Sequence, residues 1–520
     1  MIMSMGNDDE QSSSRPAESS REIEIKLEAK PSILRDAADL ALFAGVTFSR
    51  NRTFRTTYFD TADNALLDAG MSLRVRSIGR RRVLTFKWPP KGSEGVFARG
   101  EVEAAIEADA PQPDLLGAEA DALIARTIGD APLEPRSQTT FARRVAIVEH
   151  QGALIEAALD TGRIHAGERK DVISELELEL KQGDPAALYD FAGRFMEYGF
   201  RVTAAPKGLR GHWLATGASP SEVRASAPAL SPDASVDDAI AAILDASLKQ
   251  FVSNWPAFSP DRPEVVHQMR VALRRLRSAL GIFAKTFSHE DFSRFRTKAK
   301  EIASAMGEAR EQDVLRDLVD SGPARALQGS IDFKPLVNAS NKKRAAAYAN
   351  VRALLHAPET SRFVLELQSM ISRREWRTGG AEESARRAVD FATRALDRLD
   401  KRARKQGKNL VELPPDARHE TRIALKNLRY AFDFFTSLFG KSRGSKKFQR
   451  AIGDLQDALG AYNDAIVARA TVADLQKIAG IAGARAAGVV DGWTARGAAD
   501  ADAHLGVAWK AFRKAPRFWR

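Results

Sequence analysis

Cysteine is absent from the 520 residues of this chain. The protein therefore cannot form a disulfide, a thiolate metal site or a cysteine nucleophile, and a cytoplasmic location is expected. No run of about 18 apolar residues occurs, which predicts that no segment spans a membrane. Neither a P-loop nor a Gly-x-Gly-x-x-Gly leads into a helix, so nucleotide-binding sites of those two types are not supported.

The length of the chain exceeds what one hydrophobic core supports, so two or three domains are expected. Residues 1–20 are Ser-rich and lack an apolar core segment, which predicts a disordered tail instead of a signal peptide. Residues 216–234 are rich in Ala, Ser and Pro and are predicted to be a linker. We predict one domain over residues 21–215 and another over 235–520, the latter with two repeats of about 235–380 and 381–520.

Charge is divided unevenly along the chain. Residues 1–220 hold 28 Lys and Arg against 33 Asp and Glu, net −5, whereas residues 221–520 hold 51 against 35, net +16. The two parts together give the +11 of the whole chain. A polyanion is therefore the expected partner of the second part.

Glu22–Glu28, read Glu-Ile-Glu-Ile-Lys-Leu-Glu, alternates charged with aliphatic residues and predicts a strand. Similar alternation predicts seven further strands. Helical spacing predicts helical segments at 32–43 and about 113–128, and residues 61–67 are predicted to form a turn and a short helical piece. The further strands are expected at 54–60, 71–77, 82–88, 99–107, 139–149, 153–161 and 172–181.

Most of these strands place charges of both signs on one face. In the last strand Glu175, Glu177, Glu179 and Lys181 are assigned to one face, and Ile173, Leu176, Leu178 and Leu180 to the other. A flat sheet would leave the charged face in water, whereas eight strands closed into a barrel could turn it inward around a small ligand. An interior with both signs suits a divalent cation together with a phosphate chain. Half-buried strands with an ordinary solvated face are the alternative.

An ordered series of motifs over about residues 21–215 resembles the CYTH, or triphosphate tunnel metalloenzyme, superfamily. The series comprises Glu22-x-Glu24-x-Lys26, Tyr58-Phe59-Asp60-Thr61, Leu73-Arg74-Val75-Arg76, Thr85-Phe86-Lys87, Arg99 with Glu101 and Glu103, Phe141-x-Arg143, Asp160, the run ending at Lys181, and Lys207-x-x-Arg210-Gly211. The resemblance implies an α+β domain built on an eight-stranded antiparallel tunnel that binds a triphosphate and a divalent metal, Mg²⁺ or Mn²⁺.

The resemblance also implies roles for individual residues. Catalytic roles are implied for Glu22, Glu24 and Lys26. Phosphate would be bound by Lys26, Arg74, Arg76, Lys87, Arg143, Lys207 and Arg210. Metal would be held by Glu22, Glu24, Glu103, Asp160, Glu177 and Glu179. Pro206 departs from the family, which often has Ser before the late Lys, and it removes a backbone donor next to Lys207.

After Ser235 the sequence is helical in character and contains an internal repeat. His267-x-x-Arg270-x-x-x-Arg274-x-x-Arg277 recurs 152 residues later as His419-x-x-Arg422-x-x-x-Lys426-x-x-Arg429. A second pair, Met306-Gly307-x-x-Arg310-Glu311 and Leu459-Gly460-x-x-Asn463-Asp464, recurs at an offset of 153. Two similar helical bundles are therefore predicted.

The first repeated motif places its basic residues in one stripe, because positions 0, 3, 7 and 10 lie within roughly 80° on an α-helix. A solvated basic face is the alternative to an anion site. The pattern resembles the CHAD family of all-α domains, which is associated with inorganic polyphosphate. The resemblance implies polyphosphate binding, and an association with polyphosphate granules, through His267, Arg270, Arg274, Arg277, His419, Arg422, Lys426 and Arg429.

The leading hypothesis is thus a metal-dependent inorganic triphosphatase that splits tripolyphosphate into pyrophosphate and phosphate, joined to a polyphosphate-binding module. An adenylate cyclase or a thiamine triphosphatase would use the same triphosphate cradle. A non-catalytic binder of polyphosphate or nucleic acid is a third hypothesis. Nucleic acid is disfavoured because few aromatic residues are interleaved with the basic stripes.

Overall fold

The computed structural model describes residues 20–89, 97–217, 221–440 and 442–520. The predicted tail, apart from Ser20, lies outside these described residues, as do residues 218–220 of the predicted linker. Two compact units are present. The first contains residues 20–89, 97–183 and 205–217, and the second contains residues 184–204 and those from 221 onward.

Eight antiparallel strands of the first unit close into a barrel, which confirms the predicted tunnel architecture. Their order is β5-β4-β3-β2-β6-β7-β8-β1, and β1 pairs with β5 as well as with β8. The strands are β1 (Ser20–Glu28), β2 (Arg52–Asp60), β3 (Ser72–Ile78), β4 (Arg81–Trp88), β5 (Ala98–Ile106), β6 (Glu134–His150), β7 (Ala153–Ala166) and β8 (Arg169–Gln182).

Four helices accompany the barrel: α1 (Pro31–Arg35), α2 (Ala65–Asp68), α3 (Ala118–Ile128) and α5 (Lys207–Thr216). The helix predicted over 32–43 is shorter than expected, because it ends at Arg35 and only two 3₁₀ turns follow. Helix α3 packs Ala120 and Ile124 against the outward apolar residues of β3, β4 and β5, such as Val75 and Phe86. Since period-two alternation buries these residues on the outside, the charged residues of the same strands face inward.

Ile173 lies on the other face of its strand from the one predicted. The sequence placed it on the apolar face with Leu176, but it shares the phase of Glu175, since alternate residues of a strand share a face. It packs against Phe54, Phe141 and Ile164 instead. One layer of the barrel interior is therefore apolar.

The second unit is helical, as predicted, apart from the short strand β9 (Arg201–Val202). Ser235 caps α6 in a reciprocal capping box with Asp238. The helices are α4 (Pro185–Arg194), α6 (Val236–Ser253), α7 (Pro263–Phe283), α8 (Glu290–Ala305), α9 (Gly307–Ser321), α10 (Pro323–Ala326), α11 (Lys334–His356), α12 (Pro358–Arg373), α13 (Ala381–Ala385), α14 (Ala388–Gln406), α15 (Pro415–Phe435) and α16 (Arg443–Lys514).

Helix α16 is interrupted at Gly480, whose φ of 61° and ψ of −154° are non-helical and favour glycine. The break divides α16 into two arms. Leu475 of one arm and Val490 of the other pack in one core with Leu315 of α9 and Leu336 of α11. Within the described ranges, no helix is long and apolar enough to cross a bilayer.

Candidate active site and basic cluster

A cavity of about 500 Å³ lies in the barrel and is called the tunnel cavity below. Among the described residues, all of its lining residues except Val102 and Ala158 carry charge, and the Val102 side chain packs in the outer core with Leu84 and Phe86. The charged lining residues have both signs on β1 and on β8, and one sign on each of the other lining strands. They are Glu22, Glu24, Lys26, Arg74, Arg76, Lys87, Glu101, Glu103, Arg143, Glu156, Glu177, Glu179 and Lys181.

The predicted Glu-x-Glu-x-Lys strand contributes three residues to the tunnel cavity. Lys26 Nζ lies 2.6 Å from a carboxylate oxygen of Glu24 and 2.6 Å from one of Glu177. Lys87 pairs with Glu22 and lies 3.2 Å from Glu101. Although burial alone lowers the pKa of Lys26, Glu177 and Glu24 raise it, so this ammonium group is charged at neutral pH.

Arg74 and Arg76 supply hydrogen-bond donors that the described residues do not satisfy. The Nε atoms of both are buried and have no hydrogen-bond partner there. Arg74 has a weak ion pair with Glu101 at 3.7 Å, whereas Arg76 has no carboxylate within ion-pair distance among the described residues. Burial and the charges of Arg74 and Arg143 lower the pKa of Arg76 to about 10. Unpaired buried donors of this kind are costly unless an anion binds them.

Three predicted residues do not line the tunnel cavity: Asp160, Lys207 and Arg210. With Glu175 they form a buried network that is called the inner layer below. Lys207 Nζ lies 2.8 Å from Asp160, 2.7 Å from Glu175 and 2.7 Å from Glu177. Arg210 binds Glu175 at 2.6 Å and Asp171 at 2.6 Å.

Arg143 connects the inner layer to the tunnel cavity. It donates two hydrogen bonds of 2.6 Å to Asp160 and also pairs with Glu177. Pro206 stands at the N-cap of α5, where a missing backbone donor costs little, so Lys207 still reaches its three partners. Inner-layer residues therefore fix the positions of Arg143 and Glu177.

In the second unit, basic residues of the two repeated motifs come together. Arg270 and Arg274 of α7 and Arg422 and Lys426 of α15 interact electrostatically, and they are called the basic cluster below. Burial, Arg422 and Arg274 lower the pKa of Lys426 to about 7, against an opposing effect of Asp464.

Helices α7 and α15 are also joined next to the basic cluster. Ser278 donates a hydrogen bond of 2.9 Å to Asn427. The Nε atoms of Arg274, Arg277 and Arg422 are buried and have no partner among the described residues. The cluster thus presents unsatisfied donors as well as charge.

The two repeats are not equivalent at the ends of their stripes. His267 is half-buried, and burial together with Arg310 lowers its pKa to about 4, so it is neutral at pH 7. Its counterpart His419 is exposed. Arg429 is also exposed and donates to Gln456 at 3.0 Å. The structure therefore brings together the central residues of both stripes but not all of their ends.

Family models match both parts of the chain: a CYTH domain over residues 20–198 and a CHAD domain over residues 242–473. This chain carries a CYTH domain followed by a CHAD domain. The eight-stranded barrel and its charged interior are the CYTH domain, and the helical unit that contains the basic cluster includes the CHAD domain.

Curated proteins and solved structures are similar to parts of this chain. An inorganic triphosphatase of Haemophilus influenzae is 32% identical over 197 residues, which are 37% of this chain and 55% of that protein. An uncharacterized protein of Mycobacterium tuberculosis is 27% identical over 446 residues, 81% of this chain and 83% of its own. Among solved structures, the CHAD domain of the plant Ricinus communis is 26% identical and covers 57% of this chain and 99% of its own, with a TM-score of 0.46.

The carboxylates of the CYTH domain suit a divalent cation by their chemistry. Glu22, Glu24, Glu103 and Glu179 all line the tunnel cavity, and carboxylate oxygens are the ligands that Mg²⁺ and Mn²⁺ prefer. Burial raises the pKa of Glu179, and the nearby charges of Glu22 and Glu24 add to the rise while Lys181 opposes it.

No three acidic or imidazole groups converge into a coordination set within the ranges that the structure describes. Most cavity carboxylates are paired with Lys or Arg instead, as in the Glu22–Lys87 pair. Of the predicted metal ligands, Asp160 is fully buried and bound by Arg143 and Lys207. Glu177 lies at the cavity wall but is bound by three cations.

Sequence reasoning did not assign roles to several residues of the CYTH site. Glu101, Glu156 and Lys181 line the tunnel cavity, and Glu175 belongs to the inner layer. Strand phase was a sufficient signal for Glu156, because it lies four residues before Asp160 in the same strand and so shares its face. In the CHAD domain Arg310 lies beside His267. The sequence signal that could have identified Arg310 was its place in the second repeated motif.

Proposed function

We propose that the CYTH domain is a metal-dependent inorganic triphosphatase that hydrolyses tripolyphosphate to pyrophosphate and phosphate. The observation that carries this proposal is the tunnel cavity, in which unsatisfied donors of Arg74 and Arg76 share one enclosed space with several carboxylates. The similarity to the Haemophilus influenzae protein, an inorganic triphosphatase, supports the same reaction class.

The basic residues of the cavity bind and orient the phosphate chain. Phosphoryl transfer demands mainly positioning and neutralisation of charge from a protein. Arg74 and Arg76 offer free donors, and Arg143 is held by Asp160 at a fixed point of the wall. Lys26 and Lys87 exchange their present carboxylate partners for phosphate oxygens when substrate binds.

The carboxylates Glu22, Glu24, Glu103 and Glu179 would hold the divalent cation. When bound, such a cation polarises the phosphoryl group and favours ionisation of an attacking water. Lys26 orients Glu24, since Nζ lies 2.6 Å from that carboxylate. Glu22, Glu24 and Lys26 thus form the catalytic group of the first strand.

The composition of the cavity wall favours tripolyphosphate over ATP or thiamine triphosphate. Among the described residues the wall includes no aromatic side chain, and of its two apolar residues, Val102 and Ala158, the first directs its side chain into the outer core. A nucleobase or thiazolium ring binds by stacking or burial of its apolar surface. Adenylate cyclase and thiamine triphosphatase activity are therefore the weaker alternatives.

The test of the reaction is phosphate release by the full chain from tripolyphosphate, ATP and thiamine triphosphate, each with Mg²⁺ and with Mn²⁺. We expect the highest kcat/KM for tripolyphosphate. A higher kcat/KM for ATP, or formation of cyclic AMP, would reverse this assignment.

For the CHAD domain we propose binding of inorganic polyphosphate at the basic cluster. Like charges on one helix face repel one another unless an anion screens them. In the basic cluster this repulsion occurs on both α7 and α15. The buried Nε atoms of Arg274 and Arg422 also have no hydrogen-bond acceptor among the described residues. A flexible polyphosphate chain supplies both charge and acceptors without requiring aromatic platforms.

A further inference from the structure

Two phenylalanines form a stacked pair in the apolar layer of the barrel interior. Phe54 of β2 and Phe141 of β6 stand directly opposite one another in register. Their ring centroids are 5.5 Å apart with an interplanar angle of 10°. The rings are 8% and 3% exposed and do not line the tunnel cavity.

The barrel wall encloses this aromatic pair closely. Gly162 faces Phe141 across β6 and β7, and a Cβ at position 162 would lie 2.5 Å from the Phe141 Cβ. Ile164 and Ile173 pack against the pair, with Leu214 of α5 beside them. The rings therefore have little freedom to move.

Three cations lie over the two rings. Arg76 Cζ is 5.6 Å from the Phe54 centroid, and Lys207 Nζ is 5.4 Å from the Phe141 centroid. Arg143 Cζ is 5.8 Å from the first centroid and 5.4 Å from the second. All four distances are within the range of about 6 Å over which a ring face attracts a cation.

The cation that depends most on this attraction is Arg76. Arg143 and Lys207 have carboxylate partners in Asp160 and Glu177, whereas Arg76 has none within ion-pair distance in the described part of the chain. Arg143 also repels it. Arg76 contacts the face of the Phe54 ring directly, and this ring face compensates for the repulsion by Arg143.

We propose that Phe54 and Phe141 are positioning residues for phosphate binding, whose stacked π faces hold Arg76 and Arg143 at the tunnel cavity. The inference deepens the proposed triphosphatase function and rests on it. A carboxylate in place of Phe54 would hold Arg76 equally well but would compete with a phosphate for its donors. A ring face supplies attraction and leaves all five donors of the guanidinium available.

The proposal predicts an effect on substrate affinity that depends on the electron density of the ring. Replacing Phe54 in the full chain by its mono-, di- and trifluoro analogues preserves shape and progressively weakens the negative face. We expect KM for tripolyphosphate to rise stepwise, reaching roughly tenfold with the trifluoro ring, with a smaller change in kcat. The unfolding temperature should stay near that of the wild type.

Phe86 provides the matched control. It is fully buried in the same domain, stacks on Trp88 at 5.3 Å, and lies over no cation in the described part of the chain. Fluorination of Phe86 should leave KM unchanged. Phe141→Leu is a second test, in which a raised KM is expected together with retained kcat.

An unchanged KM in the fluorinated Phe54 series, or an equal rise in the Phe86 series, would overturn the positioning role. Failure of the wild-type protein to hydrolyse any triphosphate would instead overturn the proposed reaction. In that event calorimetric titration with tripolyphosphate still decides the positioning role, because it measures whether affinity falls with fluorination of Phe54 without requiring turnover.

Discussion

Glu24 of β1 and Glu179 of β8 lie directly opposite one another in the antiparallel pair that closes one side of the tunnel cavity. Glu156 of β7 stands opposite Glu179 from the other side, so three carboxylates form a row across three strands. Burial and the charges of Glu22 and Glu24 raise the pKa of Glu179. Lys181, which lies 2.7 Å from Glu179 and 3.7 Å from Glu156, offsets part of the repulsion within the row. A divalent cation would offset the rest, which is the physical basis of the metal requirement that we propose.

Glu24→Gln should reduce kcat for tripolyphosphate by at least about a hundredfold while the fold is retained, because it removes one ligand charge from a site of unchanged shape. Phosphate release and circular dichroism together measure the two effects. Glu107→Gln is the control, since Glu107 is exposed and does not line the cavity. Activity of Glu24→Gln close to that of the wild type would contradict the assignment of the cavity.

Arg74→Ala should lower kcat/KM by about tenfold or more, because hydrogen bonds to charged groups contribute about 1.5–3 kcal/mol each. Steady-state kinetics with tripolyphosphate measures the effect. Arg82→Ala removes an arginine of the neighbouring strand that pairs with Asp109 at the surface and should have little effect. Equal kcat/KM for Arg74→Ala and wild type would place Arg74 outside the substrate site.

Much of the tunnel could be predicted from the sequence, because alternation alone sets which residues of a strand share a face. Glu22, Glu24 and Lys26 line the cavity for this reason. Closure of β1 onto β5 depends on pairing between distant strands, which alternation does not specify, and only the family resemblance indicated it. The prediction for Ile173 was wrong because the alternation was applied inconsistently: Ile173 shares the face of Glu175 and not that of Leu176.

The contacts within the inner layer and the role of the aromatic pair could not be predicted from the sequence, and the reason is a different one. Lys207 begins a helix, so no strand phase relates it to Glu175. Phe54 and Phe141 have the signature of ordinary core residues, and their role depends on which cations the closed barrel places above them. In the CHAD domain, the repeated motif predicted equivalent stripes, whereas tertiary packing leaves His419 exposed and His267 half-buried.

Polyphosphate binding by the CHAD domain should weaken as pH rises through about 7. Lys426 has a folded-state pKa of about 7, because burial, Arg422, Arg274 and Arg270 lower it against the opposing effect of Asp464, so it loses its charge above that pH. Guanidinium groups stay charged over this pH range. His267 does not contribute, because its pKa of about 4 leaves it neutral throughout. Titration of the full chain with long-chain polyphosphate at pH 6, 7, 8 and 9 measures this dependence.

Lys426→Arg is the decisive variant for the pH effect, since a guanidinium stays charged over that range. It should bind as tightly as wild type at pH 6 and lose little affinity by pH 9. If wild type and Lys426→Arg weaken in parallel, Lys426 is not the titrating group.

Combined substitution of Arg270, Arg274, Arg422 and Lys426 by Gln should remove most of the polyphosphate affinity with little loss of helicity. Binding by wild type should also fall steeply with salt, because charge pairing releases counterions from a polyanion. The control replaces Arg386, Arg469, Lys477 and Arg496 by Gln, which removes the same charge from exposed ion pairs.

Fluorescence titration with polyphosphate and with single-stranded DNA compares the two quadruple variants. Equal loss of affinity in both would mean that net charge, and not the basic cluster, determines binding. Tighter binding of DNA than of polyphosphate by wild type would favour the nucleic-acid alternative.

We propose that the tunnel cavity hydrolyses an inorganic triphosphate with a divalent cation bound by its carboxylates. The most direct measurement is phosphate release from tripolyphosphate by the full chain after chelation with EDTA and after re-addition of Mg²⁺ or Mn²⁺. We expect activity to disappear on chelation and to return with metal in the wild type, but not to return in Glu24→Gln. Hydrolysis that persists after chelation, or that metal restores equally in both proteins, would contradict the account.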